Sequence, residues 1–198
     1  MKLFLNNVKM KKLVSLIVVL ILITGCERKS GRGRVVSNQI SNSEITRANE
    51  EILDDCICDD IDCDYCVKVV AITDGDTFRG LTQDKEEVRY RIYGIDAPEN
   101  KQAFGNRSKQ HLSDLIFGKT VGIKLDKIDF FGRPVVWVYT PDGKDVSAEM
   151  IMAGMAWHYK KYDKTELYNI LEIGARSEKK GLWIDKNPIP PWDFRKKK

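Results

Sequence analysis

The chain has 198 residues, 42% of them hydrophobic, and 33 Lys and Arg against 29 Asp and Glu give it a net charge of +4. That length and apolar content support one core of ordinary domain size and argue against a second. The small net charge conceals a division: residues 1–25 carry +4, residues 26–66 carry −5 (five basic, ten acidic) and residues 67–198 carry +5, a mildly basic body that suits a polyanionic partner.

The first 25 residues read as a removable export signal. Lys2, Lys9, Lys11 and Lys12 precede the apolar run "LVSLIVVLILI" and then "TGC", the charged, apolar and small-residue regions of a secretory signal peptide. A spanning helix needs about 20 apolar residues, and the run stops short of that. "ITGC" (Ile23, Thr24, Gly25, Cys26) resembles the bacterial lipobox, which makes Cys26 the expected lipidation site and first residue of an exported lipoprotein, anchored to a membrane and facing the periplasm or the cell exterior. Met10, followed by Lys11 and Lys12, is as good a start as Met1.

Residues 26–66 read as a lipid-anchored, flexible, acidic neck. "ERKSGRGRVVSNQISNSEITRANE" is polar and poor in large apolar residues, the composition of a tether. The stretch "DDCICDDIDCDYC" adds Cys56, Cys58, Cys63 and Cys66, an even number in a segment sent to an oxidising compartment. Two disulfides, in any of three pairings, are one reading; a four-thiolate metal site is the other, at a spacing uncommon for zinc. The interleaved aspartates show no regular calcium-ligand spacing and read as a solvated acidic loop.

From Val67 the pattern becomes β-rich. "VKVVAI", "EEVRYRIYGI", "KTVGIKL" and "PVVWVYT" are strand candidates, with "TDGDT" and "PDG" as turns. Three helices are predicted: "NRSKQHLSDLIFG", stopping at Gly118; "DVSAEMIMAGM", with an Asp cap; and "KTELYNILEIGARSEKKG", from a Thr cap to Gly181. Short strands interrupted by a few helices point to a small decorated barrel, a mainly β member of the α+β class.

The candidate chemistry lies in the charged residues of this body. Asp74 and Asp76 sit in the "DGD" turn, and Asp96 and Glu99 follow a strand, so one rim can gather four carboxylates. Such a cluster needs a cation to relieve its repulsion, and an all-oxygen set points to calcium or magnesium. "DGD" is equally a tight hairpin turn in its own right. Arg91, five positions before Asp96 and inside the strand that Asp96 follows, and Arg133 in "DFFGRPVVW", offer two guanidinium forks of the kind that hold a phosphodiester. Each also reads as a structural ion-pair partner. His111 and His158 read as core or surface residues.

Six segments in register, "VVAITDGDTFRG", "VRYRIYGIDAPE", "FGNRSKQHL", "DFFGRPVVWVY", "SAEMIMAGMAWHYKKY" and "SEKKGLW", resemble the thermonuclease (staphylococcal or micrococcal nuclease) family over about residues 67–194. The tail "DKNPIPPWDFR" resembles endings of bacterial members. The resemblance implies a five-stranded OB-type β-barrel with about three α-helices, hydrolysing DNA and RNA with calcium, with single strands preferred as substrate and the protein monomeric. By position it makes Asp76, Asp96 and the Ala97 carbonyl calcium ligands, with Asp74 acting through water. Glu99 matches the general base, and Arg91 and Arg133 the phosphate clamps. Ala97 stands where the best-known member has threonine. Tyr159 matches one nucleotide-contacting tyrosine and Trp157 stands where the other is expected, keeping a stacking face worth about 1–3 kcal/mol per base. Lys160 and Lys161 are expected to add phosphate contacts. Trp157 also reads as packing at a helix end. The alternative is a non-catalytic OB-fold lipoprotein: one binding nucleic acid would lack the acid cluster, and one binding an anionic polymer through calcium would need the cation but not Glu99. In outline the chain is a signal peptide (1–25), a neck (26–66) and a barrel domain (67–198).

Overall fold

The computed structural model describes residues 56–59 and 61–196. The signal peptide, the lipidation site Cys26 and the neck up to residue 55 lie outside the described residues.

Five strands close into a barrel in the order β1, β2, β3, β6, β5: β1 (Tyr65–Asp74), β2 (Thr77–Leu81), β3 (Glu87–Ile92), β5 (Thr120–Ile128) and β6 (Pro134–Tyr139). β3 and β6 run parallel, and the other barrel pairs are antiparallel. The stretch "EEVRYRIYGI", expected to be one strand, is two. Gly94 at φ 74 turns the chain where an added Cβ would meet the Tyr168 ring at 2.8 Å, and the chain resumes as β4 (Ile95–Asp96). β4 pairs with the short strand β7 (Trp157–His158), Asp96 opposite Trp157. β2, "TFRGL", carries no strong alternation and escaped the sequence reading; its partners on both sides hold it extended.

Alternate residues point inward and fill the barrel: Val67 and Val69, Phe78, Tyr90 and Ile92, Val121 and Ile123, Val136 and Val138. Complete burial of each such side chain is worth about 1.5–3 kcal/mol. Helix α1 (Gly105–Ile116) adds Leu112 and Ile116, four residues apart on one face, and α2 (Val146–Met152) adds Met150 and Ile151. Asp145 caps α2, its Oδ1 accepting from Ser147 N at 2.8 Å and Ala148 N at 3.3 Å. Thr165 precedes α3 (Glu166–Ser177) as expected, but its hydroxyl gives no cap; it donates to Asp163 Oδ1 at 2.7 Å. A fourth helix, α4 (Pro191–Lys196), lies in the tail beyond the three that were expected. A second apolar cluster of Trp157, Ala175, Leu182 and Trp183, with Phe104 and Trp192 against it, lies under this tail.

The barrel begins before Val67. Tyr65 and Cys66 already pair with Ile123 and Gly122, Asp64 N donates to Ile123 O at 2.7 Å, and the 3₁₀ turn Ile57–Asp59 brings Ile57 against Gly122. The end of the expected neck is thus part of the barrel wall. Cys56–Cys66 and Cys58–Cys63 form disulfides, which leaves no thiolate among these four cysteines for a metal. Crosslinks of this loop size stabilise by constraining the unfolded chain, on the order of 2–3 kcal/mol each.

Candidate active site

One cleft of about 710 Å³ opens at a rim of the barrel, and it collects residues from five separate segments. Its lining includes Asp74, Asp76, Arg91, Asp96, Ala97, Glu99, Arg133 and Tyr159. Strand pairing explains the convergence. Thr77 lies opposite Arg91, which sets Asp76 beside the guanidinium; parallel pairing of Arg91 with Val135 brings Arg133, two residues earlier, to the same rim.

The "DGD" turn is more than a hairpin. An added Cβ at Gly75 would lie 1.9 Å from Ser108 Oγ and 2.7 Å from Ala97 Cβ, so glycine is required by close approach and not by a positive φ. The turn is therefore pressed against α1 and Ala97. Asp76 Oδ2 accepts from Ala97 N at 2.7 Å, Oδ1 accepts from Thr77 Oγ1 at 3.1 Å, and Asp74 Oδ1 accepts from Asp76 N at 3.1 Å.

Arg91 lies between the two buried aspartates. Its Nη2 is 3.2 Å from Asp76 Oδ2 and 3.3 Å from Asp96 Oδ1, and it donates to Ile95 O at 2.9 Å; Nη1 donates to Ile92 O at 3.1 Å. Arg133 is aimed by Asp129, whose Oδ2 takes Nε at 2.8 Å and Nη2 at 2.7 Å. Glu99 stands on the loop after β4, its N–H donating to Gln102 Oε1 at 3.1 Å.

Burial pushes the Asp96 carboxyl up, while its arginine partners pull against that shift. Burial and the neighbouring Asp76 carboxylate push Asp74 up to about 7. The proton thus binds the folded state more tightly than the unfolded chain, where the carboxyl titrates near 3.8. Its stabilisation is fully present below about pH 4 and is lost as the pH rises towards 7. Without added metal, the thermal midpoint should fall between about pH 5 and about pH 7 and then level off, and Asp74→Asn should flatten that fall. Calorimetric melts across this range check it; an identical slope in the variant would remove Asp74 as the cause.

Carboxylates that repel in this way, with no sulfur or imidazole among the cleft-lining groups, fit a hard dication, which takes six to eight oxygen ligands. Asp76, Asp96 and the Ala97 carbonyl would hold it directly.

The expected nucleotide-binding edge is rearranged. Trp157, read as a stacking face, is only 7% exposed: it meets Trp183 and Trp192 edge-on and lies under the Arg176 guanidinium at 4.7 Å. Its strand position opposite Asp96 turns the indole into the second core, so it offers no open face. Lys160 is engaged by buried Glu172 at 2.8 Å, and Lys161 lies over the Tyr162 ring at 5.0 Å. Tyr159 does line the cleft, with Tyr162 beside it at 4.8 Å. His158 is buried and bound to Asp163 at 2.7 Å.

Residues the sequence reading missed also line the cleft: Arg89, Phe130, Phe131, Tyr162 and Arg195. Phe130 and Phe131 are 97% and 78% exposed on a turn held by Asp129. Two adjacent aromatics beside Arg133 were a legible signal. Arg195 lay in the tail "PWDFR", which the family resemblance had reached without giving it a role.

Comparison with known proteins agrees with this geometry. A family model described as Staphylococcal nuclease homologue matches residues 89–185. An uncharacterized endonuclease of Escherichia coli O157:H7 is 40% identical over 131 residues, covering 66% of this chain and 85% of the relative. A micrococcal nuclease of Shigella flexneri is 38% identical over 144 residues, covering 67% and 82%. A probable staphylococcal-like nuclease of Oryza sativa subsp. japonica, CAN2, is 42% identical over 108 residues, 54% of this chain and 29% of the relative.

Proposed function

The chain belongs to the staphylococcal nuclease family, and on that premise we propose that it is a calcium-dependent endonuclease that hydrolyses phosphodiester bonds of DNA and RNA outside the cytoplasm. The observation that carries this reading is the single cleft in which Asp74, Asp76, Asp96 and Glu99 meet Arg91 and Arg133. A purely nucleic-acid-binding module has no use for four carboxylates on the surface meant for a polyanion, since they would repel it.

Bound to Asp76, Asp96 and the Ala97 carbonyl, with Asp74 reaching it through water, calcium would supply Lewis-acid withdrawal of charge from a phosphoryl oxygen. The residues of the chain do the rest. Arg133 and Arg91 hold the non-bridging oxygens and stabilise the charge that grows on them in the transition state. Glu99 takes a proton from the attacking water. Tyr159 lines the cleft with one ring face already stacked on Trp192, so an unpaired base would meet the part of the ring left open to the cleft, which favours single strands over duplex. Export with a lipid on Cys26, and action as a monomer, complete the proposal; the two disulfides suit the oxidising compartment such a route leads to.

Nuclease assays on single-stranded DNA and RNA, with calcium and with excess chelator, test the reading. Hydrolysis should vanish in chelator, and Asp96→Asn should need far more calcium for the same rate. Undiminished cleavage in chelator would sink the metal-assisted mechanism.

A further inference from the structure

The tail of the chain returns to the cleft. Gln102 ties it there: its Nε2 donates to Ile189 O at 2.6 Å while its Oε1 accepts from Glu99 N at 3.1 Å. Pro191 is buried, and Trp192 stacks face to face on Tyr159, with ring centroids 5.3 Å apart and planes within 3°. Trp192 also meets Trp157 edge-on at 5.5 Å. A six-residue helix has little stability of its own, so these contacts set its position. The position they set delivers Arg195 to the carboxylates.

Arg195 grips both oxygens of Asp96. Nη1 donates to Oδ1 at 3.1 Å and Nη2 to Oδ2 at 2.7 Å, and Nη1 also reaches Glu99 Oε1 at 2.9 Å. Asp96 and Glu99 lie 99 and 96 residues before it in the chain, so no local tendency produces this pairing. With Arg91 already on Oδ1, Asp96 is neutralised from two sides.

We propose that Arg195 is a further residue of the active site, and that it and a divalent cation are alternative partners of Asp96, so that docking of the C-terminal helix sets the cation threshold of the enzyme. The inference rests on the cation site proposed above. A dication on an Asp96 oxygen, at a calcium–oxygen distance of about 2.3–2.6 Å, would stand against a guanidinium held by the same carboxylate. Like charges at that range oppose each other strongly in a partly buried site. Binding of one therefore loosens the other, and by linkage the effect is reciprocal. A guanidinium set free at the rim is placed to meet a substrate phosphate.

Calcium titration calorimetry on the full soluble chain, wild type against Arg195→Gln and Arg195→Lys, tests this directly. Arg195→Gln should bind calcium roughly 10-fold more tightly, the range of ordinary coupling between sites. Arg195→Lys, which keeps the charge but loses the fork, should fall between. Hydrogen exchange of the 192–196 amides gives a second readout: calcium should speed it in the wild type and change it little in Arg195→Gln. Equal calcium affinities in all three proteins, with exchange in the tail indifferent to calcium, would overturn the inference alone. No calcium binding by any of them would withdraw the cation site itself and this inference with it.

Discussion

Arg133→Lys should lower turnover on the order of 10²- to 10³-fold, the usual cost of losing a donor aimed at developing charge, while affinity for nucleic acid changes only a few-fold. The reason lies in how the guanidinium is held. Asp129 takes Nε and Nη2 on one oxygen, and its other oxygen accepts the backbone N–H groups of Phe131 and Arg133 at 2.9 Å each. Burial of Asp129 works against its ionised form, but these hydrogen bonds outweigh it and hold the carboxyl below its ordinary range. The fork is thus fixed before substrate arrives, with its remaining N–H groups left for the cleft. Lysine keeps the charge and loses both the fork and its anchor. Because phosphate charge grows toward the transition state, the loss falls on turnover more than on binding. Arg91→Lys should cost a similar factor and also raise the calcium requirement, since Arg91 joins Asp76 to Asp96. Steady-state kinetics on both variants check the pair. Near wild-type turnover with weakened DNA binding would make them simple phosphate contacts.

Glu99→Gln should be as damaging to turnover, again about 10²- to 10³-fold, and should leave calcium affinity nearly unchanged. The amide is the same size as the carboxylate and keeps the loop, whose backbone is held by Gln102 on both sides: Glu99 N to Gln102 Oε1 at 3.1 Å and Gln102 N to Glu99 O at 2.8 Å. What it cannot do is take a proton from water. Asp76 and Asp96 are untouched, and Arg195 keeps its two contacts to Asp96. Turnover and calorimetry on the one variant separate the roles. A fall in calcium affinity matching the fall in rate would make Glu99 a ligand instead of a base.

Local chemistry made much of this protein legible from the chain alone. Alternation in "VKVVAI" and "PVVWVY" marks strands because one face of each lies in the barrel core; the Leu112, Leu115, Ile116 spacing marks a helix for the same reason. The cluster from Arg91 to Glu99 was readable because β3, β4 and the loop after them carry three of the site's charged groups in nine residues. The sequence and its family resemblance also reached Asp74, Asp76 and Arg133, since each sits in a short motif of its own.

Other features depend on partners far away in the chain, and only the folded structure decided them. β2 is a strand because β1 and β3 flank it, not because of its own pattern. Gly75 is needed for the space taken by Ser108 and Ala97, which no rule about turns reveals. Trp157 and Tyr159 sit two residues apart, which along a continuing strand would put both rings on one side; β7 ends at His158, and beyond it one ring lies in the second core while the other lines the cleft. Arg195 becomes an active-site residue through a contact spanning 99 positions. A sequence displays its periodicities and short motifs directly, because these arise from neighbours along the chain. Which distant charge meets which carboxylate is set by closure of the barrel and by the apolar contacts that dock the last helix, and those exist only in three dimensions.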